Sequence, residues 1–220
     1  MTADHAAAAT VLVDDRPTTL AGALRASTAE EHRHAETRPF IADLMGGKLT
    51  LADYTRYLAQ FAYIYEALEA RDQPSDPEFI RDARLDRLAA IESDLAALGV
   101  QDRLAEHPAL PATAAYVERI RAVAVGPWTG YLAHHYTRYL GDLSGGQAIG
   151  AMIARHYGAT PEQLAFFRFD AIDKPVVYKR EYREALDALQ VGDGELERIV
   201  AEAKIVFVYN AAVFDALAAA

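Results

Sequence analysis

The sequence predicts an all-α protein, and three features of its pattern support that prediction. Apolar residues recur in steps of three and four along several long segments, which is the spacing of one helix face. Proline and glycine residues separate these segments, at the places where helices begin and end. No stretch shows the apolar–polar alternation of a half-buried strand. We therefore expect a single helical domain at 18–220, preceded by a flexible, alanine-rich tail at 1–17.

The individual helices are predicted from their apolar spacing and their capping residues. Thr50 and Asp53 form a capping-box pattern at the start of the second helix, and Gly99 and Gly158 are suited to end the third and the fifth. Pro175 is a favoured first residue for the seventh. The expected ranges are about 19–36, 51–73, 88–98, 111–125, 129–157, 161–167, 175–189 and 195–217.

Size, charge and composition narrow the possible functions. A chain of 220 residues with 52% hydrophobic content can form one domain with a full core. Its 22 Lys and Arg residues against 32 Asp and Glu residues leave a formal net charge of −10, which argues against nucleic acid as a partner. The lack of cysteine rules out thiolate metal sites and thiol catalysis. No apolar run suits a membrane anchor and the first residues make a poor signal peptide, so we expect a cytoplasmic location.

The segment 136–150, YTRYLGDLSGGQAIG, carries more glycine than a helix normally tolerates. Each helical glycine costs roughly 0.5–1 kcal/mol relative to alanine, so four of them cost about 2–4 kcal/mol. Two explanations remain open: close helix–helix packing through small residues, or exposure of bare backbone to a broad, flat ligand. Arg138 and Asp142 lie four residues apart beside these glycines, either as a simple surface ion pair or as ligand contacts.

The first predicted helix contains a second candidate group. Arg25 precedes His32 by seven residues, which places both on nearly the same face, about 10.5 Å apart along the axis. Glu36 follows His32 by four residues and can accept a hydrogen bond from its ring, as the partner of a metal-ligating histidine usually does. The spacing alone is nevertheless more typical of an ordinary, partly buried histidine. Lys179 and Arg183 place two cations on one face of a later helix, a pattern that is usually a solvated surface.

Taken together, these segments resemble the haem oxygenase family of the soluble bacterial type. The resemblance runs in order and spacing from about residue 20 to residue 215, and the run YLGDLSGGQ is its most specific part. It implies a multihelical fold that holds haem between a proximal N-terminal helix and a glycine-kinked distal helix. The matching segments are 27–36, 133–147, 177–183 and 207–210.

The resemblance also implies a role for each matching residue. His32 would be the proximal iron ligand, supported by Glu36. Ala29 replaces a lysine that some relatives have, which weakens anchoring of the haem propionates on that side. Either Tyr63 or Tyr65 would join the distal hydrogen-bond network. The remaining implied residues fall into three groups: Asp142, Arg138 and Asn210 around distal water; Gly141, Gly145 and Gly146 as backbone over the ring; and Arg25, Tyr136, Lys179, Arg183 and Phe207 as further contacts to haem.

The implied reaction is oxidative opening of haem at a meso carbon to give biliverdin, carbon monoxide and ferrous iron. Haem would be both substrate and cofactor, O₂ the oxidant, and an external reductase or ferredoxin-type protein the electron donor to a monomeric enzyme. Two alternatives remain: a haem-binding or haem-trafficking protein without turnover, and a non-haem protein of the same architecture that acts on a vitamin precursor or a quinone.

Overall fold

The computed structural model describes residues 19–220, apart from the side chain of Asp193, and it is helical with no strand in that range. The predicted tail at 1–17 lies outside these residues. Short 3₁₀ turns occur at 78–80, 83–85, 161–163 and 165–167. The α-helices are α1 Leu20–Ser27, α2 Ala29–Glu36, α3 Pro39–Met45, α4 Leu51–Glu69, α5 Leu88–Ala97, α6 Arg103–Glu106, α7 Pro111–Ala124, α8 Trp128–His135, α9 Gly141–Tyr157, α10 Pro175–Asp187 and α11 Asp193–Ala219.

The predicted capping residues are confirmed. Thr50 and Asp53 form a reciprocal capping box at the start of α4. Gly99 follows α5 with φ of 92°, and Gly158 follows α9 with φ of 69°, the left-handed conformation that favours glycine. Pro175 is the first residue of α10. The all-helical prediction and most helix boundaries are therefore correct.

Three predicted helices are interrupted, and the one at 161–167 is instead two 3₁₀ turns on either side of Leu164. The first one breaks at Thr28, whose hydroxyl donates to the carbonyl of Leu24 at 2.7 Å, a local bond that competes with regular helix geometry. Arg25 and His32 consequently lie on two helices, α1 and α2, rather than on one straight face. The predicted helix at 129–157 contains a π-helical turn at Tyr136–Leu140, directly before the first glycine of α9. Single π turns of this kind are frequent at functional sites.

The core is built around α4, and α11 connects the two sides of the fold. Helix α4 buries a continuous row of aromatic and aliphatic side chains against α5 and α7. Helix α11 packs against α7 and α8 on one side and against α1, α2 and α3 on the other. It therefore contacts both the helix that carries His32 and the segments next to the π turn. No helix within 19–220 is both long and apolar enough to cross a membrane.

Candidate functional site

A buried polar cluster surrounds Arg138, the central residue of the π turn. Its guanidinium donates to the hydroxyl oxygen of Tyr65 at 3.1 and 3.3 Å and to Oδ1 of Asn210 at 3.2 Å. A further contact of 3.4 Å reaches Oδ1 of Asp142, and the ring of Phe61 lies 4.6 Å below the guanidinium carbon. The predicted pair of Arg138 and Asp142 is thus part of a network from four elements and not a solvated surface ion pair.

The hydrogen bonds of this cluster run in one direction, from Arg138 through Tyr65 to Asp142. Because the Tyr65 hydroxyl oxygen accepts from Arg138, its single proton is free to donate to Oδ2 of Asp142, and these two groups are in direct contact. Only 17% of the Asp142 side chain remains exposed. Burial raises the pKa of the Asp142 carboxyl well above its usual range. The chain of donors therefore ends on a carboxyl group that can hold a proton at a pH where most carboxyls cannot.

The structure also distinguishes the two candidate tyrosines. Tyr65 joins the cluster of Arg138 and Asp142. The Tyr63 hydroxyl instead donates to the carbonyl of His107 at 3.2 Å, and its ring lies 4.1 Å from the guanidinium carbon of Arg103. Tyr63 is therefore a structural residue on the opposite side of α4.

The four glycines of the 136–150 segment fall into two pairs. A Cβ atom added to Gly141 or Gly145 would meet no atom within 4 Å, so the backbone here faces open space. A Cβ on Gly146 would lie 3.5 Å from the ring of Phe167, and one on Gly150 only 3.1 Å from the Cβ of that residue. The sequence placed Gly146 with Gly141 and Gly145, whereas the structure places its free side against Phe167.

His32 lies on α2 with the partner that its spacing predicts. Nδ1 of the imidazole is 3.4 Å from Oε2 of Glu36, and 52% of the side chain is exposed. The edge of the imidazole packs against the ring of Phe207, with centroids 5.5 Å apart. An ion pair of 2.9 Å between Glu31 and Lys204 holds α2 against α11. With Nδ1 directed toward Glu36, Nε2 is the ring nitrogen available to a ligand.

Helix α11 aligns the histidine with the polar cluster. Phe207, which contacts His32, and Asn210, which binds Arg138, are three residues apart on the same face of this helix. His32 of α2 and Arg138 of the π turn therefore both lie against the same turn of α11. The open glycine backbone of Gly141 and Gly145 follows directly after the π turn that carries Arg138.

Arg25 and Arg183 lie near Tyr136 at the start of the π turn, and Lys179 lies beyond its end, at Ser144 of α9. Arg183 pairs with the Tyr136 hydroxyl, and the positive charges of Arg183 and Arg25 favour its ionised form, although burial outweighs them and raises its pKa. The Lys179 ammonium donates to Oγ of Ser144 at 3.3 Å, and burial together with the charge of Arg183 lowers the pKa of that ammonium group. Three cations from two helices thus lie beside the π turn and the first turn of α9.

Two residues at the site could not be chosen from the sequence. Ser144 supplies a hydroxyl to Lys179, and Phe167 packs behind α9. Nothing in the spacing of Ser144 marks it as a partner of Lys179, and Phe167 lies in a segment without regular periodicity. Their signal is tertiary contact, which only the structure provides.

Known proteins that are similar to this chain belong to one family. The family model described as heme oxygenase matches residues 18–216. Heme oxygenase 1 of Gallus gallus is 37% identical over 201 residues, covering 88% of this chain and 68% of that protein. Heme oxygenase of Pyropia yezoensis is 35% identical, covering 90% of this chain and 86% of its own length.

Solved structures agree with the sequence relatives. The heme oxygenase from Leptospira interrogans superposes with a TM-score of 0.83 at 37% identity, covering 89% of this chain and 98% of that one. Heme oxygenase-1 from the cyanobacterium Synechocystis, solved in complex with heme, superposes with a TM-score of 0.83 at 32% identity, covering 90% of this chain and 91% of its own.

Proposed function

The chain belongs to the haem oxygenase family, and from that premise we propose how its residues bind haem and open it at a meso carbon to biliverdin, carbon monoxide and ferrous iron. The observation that supports the proposal is that one turn of α11 contacts both His32 and Arg138, and we assign the two sides of this turn as two walls of a haem site. One wall is His32, and the other is the open backbone at Gly141 and Gly145 with the buried Asp142 carboxyl beside it. When bound, haem supplies the ring that is cleaved and the iron at which O₂ is activated.

The residues present fit haem. Glycines at 141 and 145 leave space that side chains would fill, so a flat ring can approach the helix backbone. His32 offers a free Nε2, and neutral imidazole is the usual protein ligand of haem iron in O₂-binding proteins. Phe207 adds an apolar contact beside the histidine. No thiolate is available in this chain to serve as an alternative ligand.

On the proximal side, His32 holds the iron through Nε2 and Glu36 orients the imidazole. The carboxylate of Glu36 accepts a hydrogen bond from the Nδ1–H group, which fixes the tautomer and increases the basicity of Nε2. Because both side chains are more than half exposed without a ligand, their geometry becomes strongly defined only when haem covers them. Glu36 is thus a positioning residue for His32.

At the other end, the cations set the orientation of the ring. Arg25, Lys179 and Arg183 form charge-assisted hydrogen bonds with the two propionates, while Tyr136 supplies a further hydroxyl donor. This end of the site determines which meso edge points toward Asp142. Ala29 contributes no charge there, so the propionate nearest α2 is held less firmly than in relatives with lysine.

On the distal side, the Asp142 carboxyl holds a proton and transfers it. Its carboxyl receives a hydrogen bond from Tyr65 and can pass a proton, through an ordered water, toward the oxygen that reacts with the ring. Arg138 and Asn210 keep the carboxyl and the tyrosine in place. Gly141 and Gly145 bring the helix backbone close enough to direct oxygen toward one meso edge.

Several parts of the proposal rest on the family alone. O₂ is the oxidant, and the electrons come from an external reductase or ferredoxin-type donor, because the chain has no flavin or iron–sulfur motif. We propose a monomeric enzyme that works in the cytoplasm.

A haem-trafficking protein without turnover is the main alternative, and it would use the same histidine and cations. A trafficking protein would not need the Arg138–Tyr65–Asp142 cluster, and we therefore favour the enzyme. A non-haem relative acting on a quinone or a vitamin precursor would not need a histidine with an oriented Nε2.

The deciding experiment mixes the purified chain with haem and a reductant such as ascorbate in air, with catalase present to remove free peroxide. Loss of haem absorption together with formation of a green biliverdin product supports the enzyme. Stable haem absorption under these conditions would favour trafficking, and failure to bind haem would revive the non-haem alternative.

A further inference from the structure

Phe167 lies behind α9, on the side away from the proposed haem position. Gly141 and Gly145 face open space, whereas Gly146 and Gly150 are buried and their free sides face Phe167. At 100° per residue, the two glycine pairs point roughly 140° apart around the helix. Asp142 lies between these two directions. One pair of glycines is thus turned toward the proposed ligand, and the other pair receives a phenylalanine.

The contact between Phe167 and α9 is close. An added Cβ at Gly150 would lie 3.1 Å from Cβ, 3.2 Å from Cδ2 and 3.3 Å from Cγ of Phe167. These atoms are near the backbone of Phe167, so rotation of the side chain cannot relieve such a contact. Because packed interiors hold little free volume, an extra methyl group here must move either Phe167 or the helix.

Phe167 is anchored independently of the proposed haem site. The carboxylate of Asp94, which is fully buried, accepts the backbone N–H groups of Ala165 at 2.7 Å and Phe166 at 2.8 Å. Tyr54 of α4 stacks on the Phe167 ring, with centroids 6.2 Å apart. The turn that presents Phe167 is therefore attached to α4 and α5. Helix α9 has open space on its other side, so α9 is the partner that would move.

We propose that Phe167 is a positioning residue: it supports α9 from behind and sets the height of the Gly141 and Gly145 backbone, and of the Asp142 carboxyl, above the haem ring. Asp94 acts one step further away, by holding the turn that carries Phe167. Gly146 and Gly150 are glycines because of Phe167, and Gly141 and Gly145 are glycines because of the ligand. This inference rests on the proposed function, since it concerns the position of the same carboxyl.

The test is a size exchange across this contact. Gly150→Ala should push α9 toward the ring, Phe167→Leu should let it relax backward, and the double variant should restore the separation. Gly130→Ala in α8 is the matched control, because the same added methyl group would lie 3.7 Å from Val123, an ordinary contact away from the site. Chemical unfolding of each haem-free variant establishes that it is folded.

Two readouts report the position of the distal carboxyl. One is the pH at which the absorption spectrum of the ferric haem complex changes, and the other is kcat for biliverdin formation, with KM measured in parallel. Gly150→Ala should shift the spectral midpoint by about 0.5 pH unit or more and lower kcat about tenfold with little change in KM. Phe167→Leu should shift the midpoint in the opposite direction. The double variant should return the midpoint to within about 0.3 pH unit and kcat to within about twofold of the unmodified chain, and Gly130→Ala should leave both unchanged.

The inference is overturned if folded, haem-binding Gly150→Ala keeps the spectral midpoint and kcat of the unmodified chain, or if the double variant stays as far from the unmodified chain as Gly150→Ala does. Should Gly150→Ala fail to fold, an unchanged spectral midpoint in Phe167→Leu overturns it equally, and a shifted one supports it. Failure of the proposed function is recognised separately, because the unmodified chain would then form no biliverdin.

Discussion

Asp142 lies at the end of a one-way chain of hydrogen-bond donors. Arg138 can only donate, and the Tyr65 hydroxyl accepts from it and donates its own proton to Asp142. Burial holds the pKa of this carboxyl well above its usual range. A residue placed in this way can retain a proton and return it to a reacting oxygen. The surrounding groups have no comparable freedom, because each already has its partner within the cluster.

Replacement of Asp142 should separate haem binding from haem cleavage. Asp142→Ala removes the proton-holding group but leaves His32 and the cations, so we expect the same haem affinity and a rate of biliverdin formation about 10²-fold lower or more. Tyr65→Phe removes only one donor and should cost less. Titration with haem and the single-turnover rate measure the two effects. A normal biliverdin yield from Asp142→Ala would refute the assigned role.

Ala29 offers a gain-of-contact prediction at the same scale. It is the exposed first residue of α2, the position at which the family resemblance implies a lysine in some relatives. Ala29→Lys should add an ion pair to a haem propionate and slow haem release about two- to fivefold, the range of an exposed pair. Ala29→Gln is the neutral control, and the difference should shrink at high salt. Equal release rates for the lysine and glutamine variants would contradict this account of the departure.

The residues of the site differ in how far the sequence predicts them. The pairs His32–Glu36 and Arg138–Asp142 follow from four-residue spacing, and the structure brings each pair together. The choice between Tyr63 and Tyr65 could not follow from spacing. Residues two positions apart on a helix point about 200° apart, and only the packing of α4 decides which of the two faces Arg138. The roles of the four glycines were likewise inseparable until Phe167 was located.

Two helices that the apolar periodicity predicts to be continuous are locally irregular in the structure. Apolar spacing continues through Thr28 and through 136–140, so it indicates one helix where the structure has a break and a π turn. Thr28 closes a bond to Leu24 that bends the chain before His32. The π turn changes the register between Tyr136, which meets Arg183, and Asp142, which meets Tyr65. These local irregularities direct side chains of one segment toward different partners.

An ion pair with a buried carboxylate joins three helices next to the site. Glu202 of α11 accepts a hydrogen bond of 2.8 Å from Arg119 of α7 and contacts Nε2 of His134 of α8 at 2.8 Å. Burial opposes the charged form of Glu202, but the hydrogen bonds from His134 and Arg119 outweigh it and lower the pKa to about 2. The pKa of Glu202 in the folded state lies below its ordinary value of 4.5. The ionised carboxylate therefore contributes its full stabilisation above about pH 4.5.

The stability of the fold should therefore fall as the pH decreases from about 4.5 toward 2, where the Glu202 carboxylate becomes protonated. Glu202→Gln should cost about 1–3 kcal/mol at neutral pH, because Arg119 and His134 lose their charged acceptor. The variant should also lose less stability than the unmodified chain over that acidic interval. Urea unfolding at several pH values measures both effects. Parallel pH profiles for the two proteins would contradict the assignment.

At the scale of the whole molecule, the site is assembled from parts distant in sequence. Helix α11 contacts His32 near one end of the chain and Arg138 near its middle, and α10 supplies the cations. The helical class could be predicted because hydrophobic periodicity is a local property of the sequence. The approach of His32 and Arg138 to one turn of α11 could not, because it depends on how α11 packs against α2 and α8. Family resemblance supplied that relation before the packing was known.

Haem binding should stabilise the fold as a unit, because its proposed contacts come from five helices and the π turn. A ligand that binds only the folded state contributes about 2.7 kcal/mol when its free concentration is a hundred times Kd. For a chain of this length, that corresponds to a rise in Tm of roughly 5–10 °C. Calorimetry of the haem-free and haem-bound protein tests it, with His32→Ala as the variant that should show a smaller rise. Superimposable melting curves would argue against haem as the ligand.

The central claim is that this chain cleaves the haem ring at a meso carbon, and the most direct measurement is the amount of carbon monoxide released per haem consumed. The reaction is run as a single turnover with an electron donor and catalase, and the carbon monoxide is trapped by a haem protein added as indicator. The account predicts carbon monoxide in equal amount to the haem lost, and a sharp loss of it in Asp142→Ala. Haem loss without carbon monoxide, or an unchanged yield in that variant, would contradict the account.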